Sequence, residues 1–380
     1  MDNIAQICKR CVMDTTDPEI KFDEDGVCNH CHQFDAVISK HWFQGEEGNR
    51  KLQEIVEIIK EEGKNKEYDC IIGLSGGVDS SYLALKVKEF DLRPLVVHVD
   101  AGWNSELAVN NIECLVNYCG FDLHTHVMYW QDMKRLQLAY LYSGVANQDV
   151  PQDHAFFASL YHFSVRNNIR YVLSGGNIAT ESIFPQAWHH SAMDAANLKA
   201  IFRKFGKGKL KEFKTVNFFQ YYVYYPFIKK MKVVRPLNFL SYNKEDAMSE
   251  LQKKTGWKPY GRKHGESLFT RFFQNYYLVE RFGYDKRKPH LSSLIMSGQL
   301  SRDMALDELK LPLYDASELR EDIYYFRKKL GFNEDDFNEI MRLPCRSADE
   351  FSSDKWKYNV LKNIQAKLEA VSGKRLGRYS

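Results

Sequence analysis

No run in this 380-residue sequence is long and apolar enough to cross a bilayer. The conspicuous uncharged run, Val216 to Ile228, is too short and carries Asn217 and Gln220. The opening residues MDNIAQICKR hold no apolar stretch of signal-peptide length, so a cytoplasmic chain is expected. A Walker-type GxxxxGK[ST] sequence is absent as well, which excludes a kinase-like phosphate loop. Internal repeats and long low-complexity tracts are also lacking. With 44% hydrophobic, 14% aromatic and 27% charged residues, the composition is that of a folded globular protein, and the length suits one large domain with an appendage or two domains.

The formal net charge of +3 conceals an asymmetry. Residues 1–68 hold 9 Lys/Arg against 15 Asp/Glu, whereas residues 199–290 hold 22 against 7. The basic middle favours an anionic partner such as a nucleotide or a phosphorylated metabolite; a solvated basic face is the plainer reading. The overall balance is too mild to imply nucleic acid, and no nucleic-acid partner is expected. The eight cysteines are unevenly spread. Cys8, Cys11, Cys28 and Cys31 form two Cys-x-x-Cys pairs sixteen residues apart, a spacing suited to a metal. Four thiolates leave no open position, so a structural Zn²⁺ is expected, with an iron–sulfur cluster as the alternative. Cys70, Cys114, Cys119 and Cys345 sit among apolar neighbours and read as small core residues.

The first forty residues are turn-rich and poor in apolar residues, so a metal would have to supply their stability. A helix is expected over 49–63, closed by Gly63. From Tyr68 short apolar runs alternate with helical stretches: strands at 68–74, 94–99, 123–128 and 171–173, with helices between them. That alternation predicts an α/β fold with a parallel sheet and ligands at the carboxyl ends of its strands. Lys199 to Lys232 reads as a loop or irregular insertion, Asn243 to Thr255 as a helix stopped by Gly256, and 316–370 as helices separated near Pro344. The expected division is a zinc-binding module at 1–45, an α/β nucleotide domain at 46–250 and a mostly helical region at 251–380.

The strongest chemical signal is SGGVDSS, spanning Ser75, Gly76, Gly77, Val78, Asp79, Ser80 and Ser81 directly after the first strand. Two glycines let the backbone turn tightly and bring its N–H groups to an anion; the serines add hydroxyls, and the next helix offers its positive N-terminus. A carboxylate does not belong in a phosphate cradle without a cation, so Asp79 is assigned to Mg²⁺. A Gly-Gly turn capped by Ser and Asp is the purely structural alternative.

This motif resembles the signature of the PP-loop ATP pyrophosphatases, which include GMP synthetase, asparagine synthetase and several tRNA-modifying enzymes. Ser174-Gly175-Gly176-Asn177 lies where relatives carry a second nucleotide contact, so Gly175, Gly176 and Asn177 are carried over as cofactor-binding. Arg235-Pro236-Leu237 resembles a motif of the tRNA-modifying members. The resemblance implies cleavage of ATP between its α and β phosphates. Asp100, ending the second strand, lies where relatives bind adenosine or metal, and equally reads as a strand-end turn former. More of the chain is similar to the N-acetyl sugar amidotransferases of O-antigen, lipopolysaccharide and flagellin-glycan synthesis. The carrying stretches are the four-cysteine head, VDAGWNSE (Val99 to Glu106), QDVPQDHAFF (Gln148 to Phe157), GGNIATES (Gly175 to Ser182) and YGRKHGESLFTRFFQ (Tyr260 to Gln274).

That resemblance implies conversion of an acetamido group on a nucleotide-linked sugar to an acetamidino group, with AMP and pyrophosphate released. Lys263 and Arg271 are candidate cations for the pyrophosphate, or else parts of a basic surface helix. Glu181 is a candidate for Mg²⁺ or sugar. His154 could handle a proton, or partner Asp153 at a helix cap beside Asp149. Trp103, Trp188 and His189 could contact the sugar or simply pack. No cysteine has the context of a glutaminase nucleophile, so the resemblance implies a separate glutaminase and a cyclase-like partner supplying ammonia. The aromatic run Phe218 to Phe227 could dock such a partner, although core packing explains it as well. The alternatives are a tRNA thiolase of the same fold and a non-catalytic zinc-ribbon protein that binds nucleic acid.

Overall fold

The computed structural model describes residues 6–261 and 265–372. Its centre is a five-stranded, all-parallel sheet of β1 (Cys70–Gly73), β2 (Pro94–Asp100), β3 (Asp122–Val127), β4 (Tyr171–Leu173) and β5 (Lys232–Val234), in the order β3-β2-β1-β4-β5. Central β1 is buried on both faces. Ile72 packs with Leu52, Leu83, Leu115 and Leu251 on one side, and Ile71 with Val97, Leu160 and Val172 on the other. Alternate residues of one short apolar run thus feed two cores, as a strand covered by helices on both faces requires.

In chain order the helices are α1 (Asn29–Ala36), α2 (Gly45–Gly63), α3 (Val78–Glu89), α4 (Glu106–Cys119), α5 (Trp130–Ser143), α6 (Val150–Arg166), α7 (Ile178–Glu181), α8 (Ala195–Phe205), α9 (Lys244–Thr255), α10 (Leu268–Phe272), α11 (Leu278–Phe282), α12 (Arg287–Met296), α13 (Arg302–Lys310), α14 (Ala316–Leu330), α15 (Glu334–Arg342) and α16 (Lys355–Ser372). Strand order reverses between β1 and β4, which opens a crevice at their carboxyl ends. The loops 74–77 and 174–177 both emerge there.

The basic segment expected as a loop is more ordered than its composition suggests. It contains α8, a π-helical segment Gln220–Ile228 and the start of β5. Leu198 and Ile201 bury one face of α8 while Arg203 and Lys204 close its last turn, so lysines hide an ordinary amphipathic helix. The aromatic run is split: Tyr225 is buried, whereas Phe219, Phe227 and Ile228 are exposed. The boundary expected near residue 250 falls inside α9, whose Leu251 belongs with Trp257 to the core over β1. Asn243 starts α9 by accepting N–H bonds from Glu245 and Asp246, and Gly256 ends it at φ +76°.

The C-terminal helices gather around Phe269, Phe272, Phe273, Tyr277, Phe326 and Phe337, with Trp103 from the loop after β2 inserted among them. The cysteine head has no core of its own and closes over Trp188 and Ile183. It is fastened to α12 and α13: Ser292 accepts from the Val12 N–H at 3.2 Å, Lys288 pairs with Asp14, and Arg302 donates to the carbonyls of Cys8 and Cys11.

Candidate active site

Gly76 adopts φ +87°, a conformation that a side chain strains, and its carbonyl accepts from Trp257 Nε1 at 3.0 Å and Tyr260 OH at 2.8 Å. The carbonyl is therefore pinned outward. The first helical bond of α3 runs from Ser81 N–H to Gly77 O, which leaves the N–H groups of Val78, Asp79 and Ser80 without acceptors among the described residues. Ser75 and Ser80 hydroxyls lie 3.1 Å apart beside this open end. The combination is an anion cradle. A Cβ on Gly76 would stand 2.9 Å from Tyr260 Oη and 3.1 Å from Ala108 O. Gly76→Ala is expected to weaken anion binding at this turn about 10-fold or more through left-handed strain and displacement of Tyr260; calorimetric titration with ATP as the probe measures it, and unchanged affinity would show that the turn is no part of an anion site.

The second loop abuts the first. A Cβ on Gly175 would lie 3.0 Å from the backbone of Asp79 and Ser80, so only glycine lets β4's loop approach α3 this closely. Asn177 caps α7 through Thr180 N–H at 3.0 Å, while its Nδ2 donates to Asp79 Oδ1 at 3.0 Å. Tyr242 OH donates to the same oxygen, and burial, aided by Asp79, raises the Tyr242 pKa so that it remains a donor. Asp79 is thus held from two elements.

Around these loops lies a cavity of about 1020 Å³. Ser75, Gly77, Val78, Asp79, Ser80, Gly175, Gly176 and Glu181 line it, joined by Arg235 at the end of β5 and Lys244 at the start of α9. Glu181 Oε2 would lie 3.4 Å from a Cβ on Gly176, and Glu266 Oε1 3.5 Å from one on Gly77. Glu266 arrives there because residues 266–268 bond to the loop after β2: Ser105 N–H to Glu266 O at 2.9 Å and Leu268 N–H to Trp103 O at 3.0 Å. The VDAGWNSE stretch therefore supports the site. A further wall contributes Asp149 and Asp153 from the start of α6, Thr270 from α10, Gln274 from the turn that follows it, Lys286 from the segment before α12 and His189 from the loop after α7.

Several expected site residues lie elsewhere. Ser81 is completely buried and its hydroxyl has no partner among the described residues, so it faces the core rather than the cradle. Asp100 accepts from the Gly102 N–H at 2.7 Å and shapes the turn after β2; it does not line the cavity. His154 is fully buried. Its Nδ1–H donates to Ala192 O at 2.6 Å and its Nε2 accepts from Val216 N–H at 3.1 Å, while burial lowers its pKa. With both nitrogens used, it ties two loops together instead of moving protons. Arg271 pairs with Asp322, to which Tyr314 also donates at 2.9 Å, and so clamps α10 to α14. One helical step rotates it away from Thr270 and Gln274, which do reach the cavity. Lys263 lies outside the described residues. Trp103 and Trp188 are buried packing residues, Trp188 stacking on Tyr284 at 4.6 Å.

The sequence marks Arg235 only as part of a motif and assigns no role to Lys244, Tyr242, Glu266 or Lys286. Arg235 carried a signal in its Arg-Pro-Leu context; the others are single polar residues that only folding brings together.

The four head cysteines are buried, with their sulfurs all within 4.8 Å of one another. Individual separations are 3.9 Å for Cys8–Cys31, 3.6 Å for Cys11–Cys28 and 3.7 Å for Cys28–Cys31. Four thiolates around one tetrahedral zinc stand about 3.8 Å apart, so the set fits that ion. N–H groups of Arg10, Cys11 and Cys28 point at Cys8 Sγ at 3.3–3.4 Å, as ligating thiolates require. None of the other cysteines lines the large cavity among the described residues.

The fold and loops define a doubly wound α/β chain with an anion-binding turn at the switch point of its sheet. Residues 266–365 match the family described as LPS biosynthesis protein WbpG-like, C-terminal domain. Among solved structures, the chain is similar to the NH3-dependent NAD synthetase from Campylobacter jejuni subsp. jejuni (15% identity, 41% of this chain, 72% of that one, TM-score 0.28). It is also similar to NMN synthetase from Francisella tularensis (16% identity, 71% and 98%, TM-score 0.35). No curated protein matches. No helix among the described residues is long and apolar enough to cross a membrane.

Proposed function

We propose that this chain is an ATP-dependent, AMP-forming amidotransferase that converts an acetamido group of a nucleotide-linked N-acetyl sugar to an acetamidino group. The observation that carries the reading is the SGGVDSS turn, open at the helix N-terminus and crossed by Asp79, within a chain whose C-terminal region is similar to WbpG-like LPS-biosynthesis proteins. An amide carbon is a poor electrophile because nitrogen delocalises into it. Adenylation of the amide oxygen supplies a leaving group, and ammonia can then displace AMP.

In this reading the triphosphate lies on the N–H groups of residues 78–80, with Arg235 and Lys244 meeting the pyrophosphate charge. Asp79 and Glu181 would hold Mg²⁺, which neutralises charge on the departing pyrophosphate. Val99, Phe157, Leu160 and Tyr161 offer an apolar wall for the base. Gly176 and Asn177 keep Asp79 and Glu181 in register. Arg235→Ala is expected to raise the KM for ATP about 10-fold, read from initial rates. The zinc would be structural, and ammonia would come from a separate glutaminase working with a cyclase-like partner.

The test is exchange of labelled pyrophosphate into ATP with Mg²⁺ and no ammonia. Exchange stimulated by a nucleotide-linked N-acetyl sugar is the expected result. Exchange stimulated by tRNA and by no sugar would replace this reading with the thiolase.

A further inference from the structure

We infer that Asp153 is the proton acceptor for the incoming amine, an assignment that rests on the amidotransferase reading above. Asp153 sits in the first turn of α6 and faces the large cavity, where it is accessible. It does not cap the helix: Asp149 holds the cap position, and the Asp153 carboxyl makes no hydrogen bond among the described residues. Every neighbour, by contrast, is already engaged. Asp149 accepts from Thr270 Oγ1 and Gln152 Nε2, both at 3.1 Å, and from Gln274 Nε2 at 3.4 Å. Lys286 donates to His189 Nε2 at 2.8 Å, and the His189 ring stacks on Phe184. Burial, with Lys286 beside it, holds the His189 pKa well below its usual value, so this imidazole is neutral.

Among the described residues, the charged groups that act on Asp153 are Asp149 at the start of its own helix and Lys286 from the segment before α12; neutral His189, bonded to Lys286, lies on the same wall. Protein walls and the Asp149 carboxylate push the Asp153 carboxyl up to about 8, against the pull of Lys286. A group so placed exchanges protons near neutrality, as a base for ammonia must. The same wall borders a second cavity of about 790 Å³, and Asn147, His189 and Met193 line both. An uncharged nucleophile that crossed this partition would arrive beside Asp153.

The ammonia lone pair forms the new C–N bond to the O-adenylated amide carbon. The C–O bond breaks with its electron pair leaving on AMP. One N–H proton passes to the Asp153 carboxylate, and the product departs as the amidinium, a cation that Asp149 also favours.

Asp153→Asn separates this role from a structural one when paired with two nucleophiles. Hydroxylamine is uncharged near neutrality and attacks without a base. The expected result is a roughly 100-fold slower amidine formation from ammonia, with the amidoxime from hydroxylamine still formed. At a fixed concentration of free ammonia, amidine formation by the native enzyme should rise with pH through about 8, and that rise should vanish in Asp153→Asn. Equal losses with both nucleophiles, or no loss with ammonia, would overturn the assignment. Asp153→Glu provides the second variant: it restores a carboxylate and should recover part of the ammonia rate with its pH dependence. Sugar-stimulated pyrophosphate exchange in the same preparations keeps the two readings apart. Its absence in native enzyme defeats the proposed function, whereas its presence with an indifferent Asp153 defeats this inference alone.

Discussion

Replacing Asp79 by asparagine lowers sugar-dependent pyrophosphate release by about 100-fold or more, with the fold intact. The substitution conserves shape, so Tyr242 can still donate to the side-chain oxygen and the contact with Asn177 remains local. What disappears is the negative charge at the mouth of an anion cradle. That charge is unfavourable next to phosphates unless a divalent cation lies between them. Pyrophosphate release and the near-ultraviolet circular dichroism of the same preparation measure the two effects separately. Near-normal turnover in Asp79→Asn would remove the residue from any metal role.

Cys8→Ser is expected to reduce bound zinc from about one per chain to a small fraction and to lower Tm by on the order of 5 °C. Cys8 Sγ collects three backbone N–H groups, so its loss disturbs the whole knuckle. The damage should travel. The head is fastened to α12 and α13 through Lys288, Ser292 and Arg302. From α12 and its C-cap, His290 reaches Thr180 O, Ser293 Oγ accepts from the Ile183 N–H, and Ser297 donates to Ala179 O. Those residues frame α7, which presents Glu181 to the cavity. Elemental analysis and scanning calorimetry read the outcome, and unchanged metal stoichiometry in Cys8→Ser would contradict the four-cysteine site.

The parallel sheet was legible because Cys70 to Gly73 and Pro94 to Asp100 are short apolar runs followed by helical spacing. The turn at Ser75 was legible because two adjacent glycines and flanking hydroxyls have few other uses after a strand. β5 was not legible: unlike the equally short but fully buried β4, Lys232 to Val234 has two exposed residues and lies in a basic, aromatic segment, so no buried apolar run marks it. α8 was masked by its own lysines. Arg271 and His154 show the opposite failure, since polar residues near motifs attract functional readings. Their partners Asp322, Ala192 and Val216 lie far away in sequence. The wall holding Asp149, Asp153, Gln274 and Lys286 joins α6 to the C-terminal region, so only the folded chain brings its members together.

The most direct measurement is a product analysis. The purified chain is incubated with ATP, Mg²⁺, ammonium and a panel of nucleotide-linked N-acetyl sugars, including uronic acids, and nucleotides and sugars are resolved by mass spectrometry. AMP, pyrophosphate and a sugar in which one oxygen has been replaced by NH are the predicted products. AMP formation that depends on tRNA and a sulfur donor, with every sugar recovered unchanged, would contradict the account.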